Sequence, residues 1–273
     1  MADGVMTIAL AQMTVVRGEV GRNVETASRL VRDAAARGAE LVLLPELWST
    51  GYDLARSAAY PHITRTEVLP AMSALARELG VHIAGSVLLD HGDERVFNAG
   101  LVIGPSGSIL SRYDKVHLFG LMEEDRYLTA GGETATVPLS ACDAGLAICY
   151  DLRFPELFLT YGLAGVPLVL VPAEWPAVRR EHWRTLVRAR AIENGYYVAA
   201  CNCAGTSGPT VFDGHSLLVD PWGKVVLEGG DGEELLIGTV ELERVHAART
   251  TMPALGDRRP DVYVPSLHTL GVT

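Results

Sequence analysis

A thiol, a carboxyl group and an ammonium each stand at the end of an expected strand. Cys149 follows Gly145-Leu146-Ala147-Ile148 and opens onto Tyr150-Asp151-Leu152-Arg153-Phe154-Pro155-Glu156. A strand that ends on a cysteine and breaks into a helix holds the sulfur at a sheet edge. Backbone N–H groups and the positive end of a helix dipole then lie close by, and the sulfur is suited to nucleophilic attack. The competing reading is a structural cysteine, because free cysteine is among the most buried residue types. Glu46 ends the run Leu41-Val42-Leu43-Leu44-Pro45. A carboxylate there is costly to leave without a partner. Desolvation raises its pKa, as a general base or acid working near neutrality requires. Otherwise it is a glutamate that caps a turn in solvent. Lys115 sits in Tyr113-Asp114-Lys115-Val116-His117-Leu118-Phe119-Gly120. A fixed ammonium beside a nucleophile lowers its pKa and stabilises developing negative charge, although most lysines are simply exposed. Base, cation and nucleophile together suit covalent attack on a carbonyl carbon. Arg153 and Glu156 read as structural partners of the Cys149 turn.

The elements that must bring these groups together alternate from the start. Residues 6–13 read as a buried strand. Val24, Ala27, Leu30, Val31 and Ala34 mark one helix face, which Gly38 stops. Leu41 to Leu44 is a second buried strand, and Leu69, Met72, Leu75, Ala76 and Leu79 mark a helix ending at Gly80. Segments 82–89, 96–103 and 109–114 are short, β-rich and separated by Gly-containing turns, so they predict antiparallel hairpins. The second half repeats this order: strand 145–148, helix 155–163 with proline in its first turn, strand 168–171, helix 182–194, then strands 197–202, 215–219, 224–227 and 235–240. Two sheets packed face to face with helices on their outer faces would bury all of this. The expected fold is therefore α/β, a four-layer α-β-β-α sandwich. No stretch reads as a linker, so residues 1–273 are taken as a single domain. The tail after Met252 is irregular, and Arg258-Arg259-Pro260-Asp261 either docks on the body or reaches a partner.

Composition removes several function classes. A formal charge of −10 argues against a nucleic-acid partner, which needs a basic face, and gives no polybasic anchor for a membrane surface. No apolar run approaches the about 20 residues of a membrane span. The Met1-Ala2-Asp3-Gly4 start lacks a basic n-region, so no secretory signal is expected and the protein is placed in the cytoplasm. Disulfides among Cys142, Cys149, Cys201 and Cys203 are then not expected. Cys201-Asn202-Cys203 has no second Cys/His cluster at zinc-like spacing, and the histidines form no H-x-x-x-H pair, so no metal site is predicted. His117, His182 and His215 read as packing residues.

The residues around the three groups resemble the nitrilase superfamily of carbon–nitrogen hydrolases. The resemblance runs from Ala9-Leu10-Ala11-Gln12 to Arg258-Arg259-Pro260-Asp261. It is most specific at Leu44-Pro45-Glu46, Asp114-Lys115-Val116-His117-Leu118-Phe119 and Cys149-Tyr150-Asp151-Leu152-Arg153-Phe154-Pro155-Glu156. Val171-Pro172-Ala173-Glu174-Trp175-Pro176, Ala189-Arg190-Ala191-Ile192-Glu193-Asn194 and Gly214-His215-Ser216 also match. The resemblance implies the four-layer nitrilase fold and a catalytic set of Glu46, Lys115, Cys149 and a second glutamate after the lysine loop. Glu123 and Glu124 both stand near that place; Glu124 has the family-like distance to Leu128-Thr129-Ala130-Gly131.

The family chemistry implied is a cysteine thioester formed from an amide, with no cofactor and no metal. Lys115 and the Tyr150 N–H would hold the oxyanion. The Cys149 segment is similar to the amidase branches, especially omega-amidases that act on 2-oxo acid amides. The expected substrate is a short aliphatic primary amide, with a carboxylate at its far end as one option. Tyr52, Tyr150, Glu174, Trp175 and Arg179, with Arg180 beside it, are the candidate substrate-binding residues. Asn202 is followed by Cys203, where many relatives carry arginine. N-carbamoyl compound hydrolysis, nitrile hydrolysis and a non-catalytic scaffold are the alternatives. The remaining expected partner is a second copy of the chain, in a homodimer or higher homo-oligomer formed through the helices after Cys149 and the tail.

Overall fold

The computed structural model describes residues 4–208 and 210–263. Two six-stranded sheets dominate it. The first contains β1 (Val5–Gln12), β2 (Leu41–Leu43), β3 (His82–Leu89), β4 (Phe97–Ile103) and β5 (Ile109–Asp114). The second contains β6 (Thr136–Pro138), β7 (Asp143–Leu146), β8 (Leu168–Ala173) and β9 (Tyr197–Asn202), with β12 (Leu217–Val219) and β13 (Val225–Glu228). A hairpin of β10 (Ala204–Ser207) and β11 (Thr210–Asp213) stands apart, and β14 (Glu234–Glu241) returns to the first sheet. The sheet orders are β14-β1-β2-β3-β4-β5 and β13-β12-β9-β8-β7-β6. In each, three central strands run parallel and the flanking pairs are antiparallel.

The helices are α1 (Val20–Ala36), α2 (Tyr60–Ile63), α3 (Leu69–Leu79), α4 (Glu124–Tyr127), α5 (Pro155–Leu163), α6 (Arg180–Asn194) and α7 (Leu242–Thr251). Among the described residues, no helix is long and apolar enough to cross a membrane. The period-two rule explains the layering. In β1, Met6, Ile8 and Leu10 enter the core between the sheets, where they join Val169 and Val171 of β8. The alternate residues Ala9 and Ala11 pack beneath Ala27, Leu30, Val31 and Ala34 of α1 and Met72 and Leu75 of α3. Strands covered on both faces read as unbroken apolar runs, as Leu41-Val42-Leu43-Leu44 and Leu168-Val169-Leu170-Val171 do. With α5 and α6 against the second sheet, the architecture is the expected α-β-β-α sandwich.

Several boundaries differ from the sequence expectation. The strand expected from His215 starts at Leu217, because His215 has φ +52°. Segment 54–79 is helical almost throughout, with a π-turn at Thr64–Val68 between α2 and α3. The β6 strand and the β10–β11 hairpin were not expected. Neither was α7, which has only two buried residues, Val245 and Ala248. The expected segment Arg258-Arg259-Pro260-Asp261 is described; Ala254, Leu255 and Arg258 line a groove with Glu156 and Leu159 of α5 and Glu193 of α6.

Candidate active site

Each of the three groups found in the sequence lies just past a strand. Leu44 N–H still bonds the Ala84 carbonyl (2.7 Å) before the chain leaves β2 through Pro45 and Glu46. Leu47 then takes φ +40°, and its N–H bonds Ser86 Oγ (2.9 Å), which turns the Glu46 side chain inward. Lys115 N–H continues the sheet ladder to Asn98 O (2.9 Å), and Lys115 O accepts the Gly131 N–H (2.9 Å). A Cβ at Gly131 would stand 2.1 Å from Asp114 O, so only glycine allows this close approach.

These supports bring the groups into one dry cluster. Lys115 Nζ donates to Glu46 Oε1 (2.7 Å) and to Glu124 Oε1 (2.8 Å), and all three side chains are fully buried. Glu124 is thus the glutamate that the fold brings in; Glu123 is exposed and paired with Arg126. The reason is Glu123's φ of +62°, which starts α4 with Glu124 pointing inward. Glu124 also accepts the Phe119 N–H (2.6 Å) and the Tyr52 hydroxyl (3.0 Å). Burial works against the Lys115 charge, yet Glu124 and Glu46 outweigh it and hold the ammonium's pKa above its ordinary value. Burial raises the Glu124 carboxyl, with Lys115 opposing.

Cys149 joins this cluster at the floor of a cleft lined by Phe119, Tyr150, Arg153, Glu174, Trp175 and Arg179. The free space in it is about 10 Å³, room for about one water. Cys149 borders this narrow gap and is only 4% exposed. Its environment differs from the expectation. A single 3-10 turn, Cys149–Arg153, follows the strand, and α5 begins only at Pro155. Among the described residues, no long helix begins at the sulfur. Burial first, then the Glu46 carboxylate, push the thiol's pKa well up, and Lys115 opposes them without prevailing. These influences favour the neutral thiol next to Glu46. Cys149 has φ +45°, a backbone region that side chains rarely adopt outside functional sites.

Other candidates fall in different places. Trp175 is buried; Asn202 clamps its backbone at both ends, accepting its N–H (2.7 Å) and donating to its carbonyl (3.1 Å). The Arg153 guanidinium rests 4.8 Å from the Trp175 ring, and Arg179 lies 5.6 Å from that of Phe119. Among the described ion pairs, neither arginine has a carboxylate partner. Arg180, by contrast, is engaged by Asp213 and Asp231 and points away from the cleft lining. Tyr52 does not line the cleft; it stands behind the cluster with its hydroxyl on Glu124. Cys203 is packed into the core with Phe212. His215 bridges Glu228 and Asp231 (3.0 Å each), and His117 stacks on Phe154.

Sequence reasoning missed two residues that hold the site together. Asn98 Nδ2 donates to Glu46 Oε1 (2.8 Å) and faces Glu124 Oε1 (3.3 Å). Its only signal was one amide in the apolar strand Phe97-Asn98-Ala99-Gly100-Leu101. Asp151 accepts the Ile148 N–H and the Tyr113 hydroxyl on Oδ2 (both 2.8 Å) and the His117 N–H on Oδ1 (3.0 Å). It fastens the cysteine turn to the lysine loop.

Fold and cluster together define a class, and the chain belongs to the carbon–nitrogen hydrolase family of the nitrilase superfamily, whose profile matches residues 7–250. It is an enzyme that hydrolyses carbon–nitrogen bonds, an amidase at the level of the family. Among similar proteins is the 2-oxoglutaramate amidase of Bacillus subtilis (strain 168), 37% identical over 94% of this chain and 99% of that one. Omega-amidase NIT2 of Mus musculus is 33% identical over 88% of this chain and 91% of that one. A solved CN-hydrolase superfamily protein of Xanthomonas campestris superimposes with a TM-score of 0.88 at 29% identity, covering 93% of this chain and 97% of that one.

Proposed function

We propose that the protein hydrolyses small aliphatic primary amides, 2-oxo acid or carboxylate-bearing amides in particular, to the acid and ammonia through a thioester on Cys149. Glu46 takes the thiol proton as the sulfur attacks the amide carbon. The carbonyl oxygen becomes an oxyanion held by Lys115 Nζ and the Tyr150 N–H, which lies in the first turn after the strand, where N–H groups lack helical partners. Glu46 returns its proton to the departing nitrogen, the C–N bond breaks and ammonia leaves. Water, deprotonated by Glu46, attacks the thioester, and collapse of the second oxyanion restores the thiol. Glu124 fixes the Lys115 ammonium.

The observation that carries this reading is Lys115 bonded to Glu46 and Glu124 in a water-excluded cluster with the Cys149 sulfur. A raised thiol pKa suits it, since the proton stays on sulfur until Glu46 accepts it. The substrate class is supported by the names of the two amidase relatives and by two cleft-lining guanidinium groups, Arg153 and Arg179, that have no carboxylate partner among the described residues. Tyr150, Glu174 and Trp175 complete the binding surface.

Ammonia release from 2-oxo acid amides, N-carbamoyl compounds and nitriles tests the reading. It predicts that 2-oxo acid amides have the highest kcat/KM and that Cys149→Ala abolishes turnover. A Cys149→Ala protein of near wild-type activity overturns the mechanism; preference for carbamoyl compounds or nitriles overturns the substrate class. We also read residues 1–273 as one domain that acts in the cytoplasm as a homodimer formed through α5, α6 and the segment after Met252. Exposed Leu163, Ile192 and Met252 on that side support the contact. Sedimentation equilibrium showing a monomer at micromolar concentration would overturn the dimer, and fractionation tests the location.

A further inference from the structure

Three carboxyl groups and one ammonium share the buried site, so the hydrogen bonds decide which acid keeps its proton. Glu46 accepts from Lys115, Asn98 and the Glu174 N–H. Glu124 accepts from Lys115, Tyr52, Asn98 and the Phe119 N–H. The Glu174 carboxyl accepts from none of the described residues. It is 1% exposed, and its Oε1 is buried without any partner. A Cβ on Gly51 would lie 3.7 Å from that Oε1, which places a bare backbone, not a donor, against it. An ionised carboxylate in this position would be a buried charge with neither donor nor counterion, the costliest state a carboxyl can adopt. Glu46 and Glu124 both lean on the same Lys115, and among the described ion pairs none joins Glu174 to a cation, the cleft-lining Arg153 and Arg179 included.

The remaining direction is the cleft, whose wall includes Glu174 beside Trp175. We propose that Glu174 is a neutral carboxylic acid that donates its O–H to an uncharged oxygen acceptor on the substrate's carbon chain, and so selects oxo-substituted amides over plain ones. The proposal rests on the amidase reading above and adds a specificity-determining residue to it. A carboxylate could only accept hydrogen bonds and would repel a keto oxygen; a carboxylic acid can donate. The groups around Glu174 are Glu46 after β2, Tyr52 before α2, Lys115 after β5, Glu124 on α4 and Cys203 after β9, with Cys149, Arg153 and Arg179 along the shared cleft. Burial first, then Glu46 and Glu124, push the carboxyl's pKa well up, and Lys115 opposes them.

Two measurements test this. Infrared difference spectra of the whole protein, wild type against Glu174→Gln at neutral pH, read the protonation state without any turnover. The expected result is a protonated-carboxyl carbonyl band that Glu174→Gln removes. A carboxylate band lost in its place overturns the proposal. The second measurement is kcat/KM for a pair of amides of equal chain length, with and without a 2-oxo group. Wild type should favour the oxo member. Glu174→Gln, whose amide N–H can still donate, should keep that preference within about threefold, whereas Glu174→Ala should lose about tenfold of it, chiefly through KM for the oxo member. An unchanged preference in Glu174→Ala overturns the contact. Equal loss in Glu174→Gln and Glu174→Ala overturns the neutral-donor role. Should Glu174→Ala fail to fold, the glutamine variant and the infrared band still decide. A wild type inactive on every amide would instead sink the amidase reading, and the substrate contact with it, while the infrared result stands apart.

Discussion

Cys149 reaches its position at the cost of an unusual backbone angle, φ +45°, worth about 1–3 kcal/mol of local strain. The angle lifts the sulfur off the sheet toward Glu46 and Lys115. Because burial and Glu46 keep the thiol protonated, its reactivity depends on a base and not on a standing thiolate. Iodoacetamide, itself a small primary amide, should label Cys149 at neutral pH, and Glu46→Gln should slow that labelling by about 10²–10⁴-fold. Mass spectrometry of the labelled peptide is the check; an unaffected rate in Glu46→Gln would remove Glu46 as the base. Glu46 and Cys149 were legible in the sequence because each ends an apolar run, where a polar group needs a reason; Lys115, after the mixed stretch Ser111-Arg112-Tyr113-Asp114, stood out only by following a strand and by the family resemblance. Asn98 was not, since a single amide in a strand gives no sign of which face it occupies or what lies opposite. The direction of the thiol's shift was also out of reach: it depends on how completely the site is dried, which only packing determines.

At the scale of elements, the site depends on how two turns are tied. Asp151 holds the turn that carries Cys149 and the loop that carries Lys115 through four contacts, two of them to backbone N–H groups. Removing a fully buried acceptor strands several donors. Asp151→Ala should therefore cost about 3–5 kcal/mol in denaturant unfolding, and Asp151→Asn noticeably less. Both should lower kcat, because the sulfur and ammonium lose their common anchor. A fully active, fully stable Asp151→Ala would show that the turns are fixed otherwise. The long periodic elements were legible: α1 and α3 from their apolar stripes, and the buried strands from their unbroken runs. The short ones were not. Residues 136–138 are only three long and alternate exposed-buried-exposed, and α7 has no apolar stripe. The β10–β11 hairpin is pinned by bridges to Thr14 and Pro176, contacts distant in sequence.

Across the whole molecule, the buried acids make stability depend on pH. Glu174 has its pKa raised in the folded protein. Between the ordinary carboxylate range and that raised value, the unfolded chain is ionised and the folded one is protonated. The folded state then binds more protons, so stability falls as pH rises through this window. Glu174→Gln lacks this proton uptake. Its advantage over wild type should grow by about 1.4 kcal/mol per pH unit above the ordinary carboxylate pKa, until Glu174 ionises in the folded state. Thermal melts of the two proteins at several pH values between acid and neutral would show the gap widening; a constant gap would contradict the protonated state. The four-layer arrangement itself was legible, because two rounds of strand and helix leave few other ways to cover every apolar face.

The pairing of β14 with β1 has a consequence for biogenesis. Strand β1 bonds β2 on one side and β14 on the other, in register from Val5–Glu241 to Gln12–Glu234. A ribosome has delivered every reactive side chain once Glu174 emerges, yet the first-made strand still lacks one of its two neighbours. Some sixty residues of further synthesis separate a nascent chain that holds all the chemistry from one that holds it still. A premature stop in that interval would release an open-edged sheet prone to self-pairing, not a smaller working enzyme.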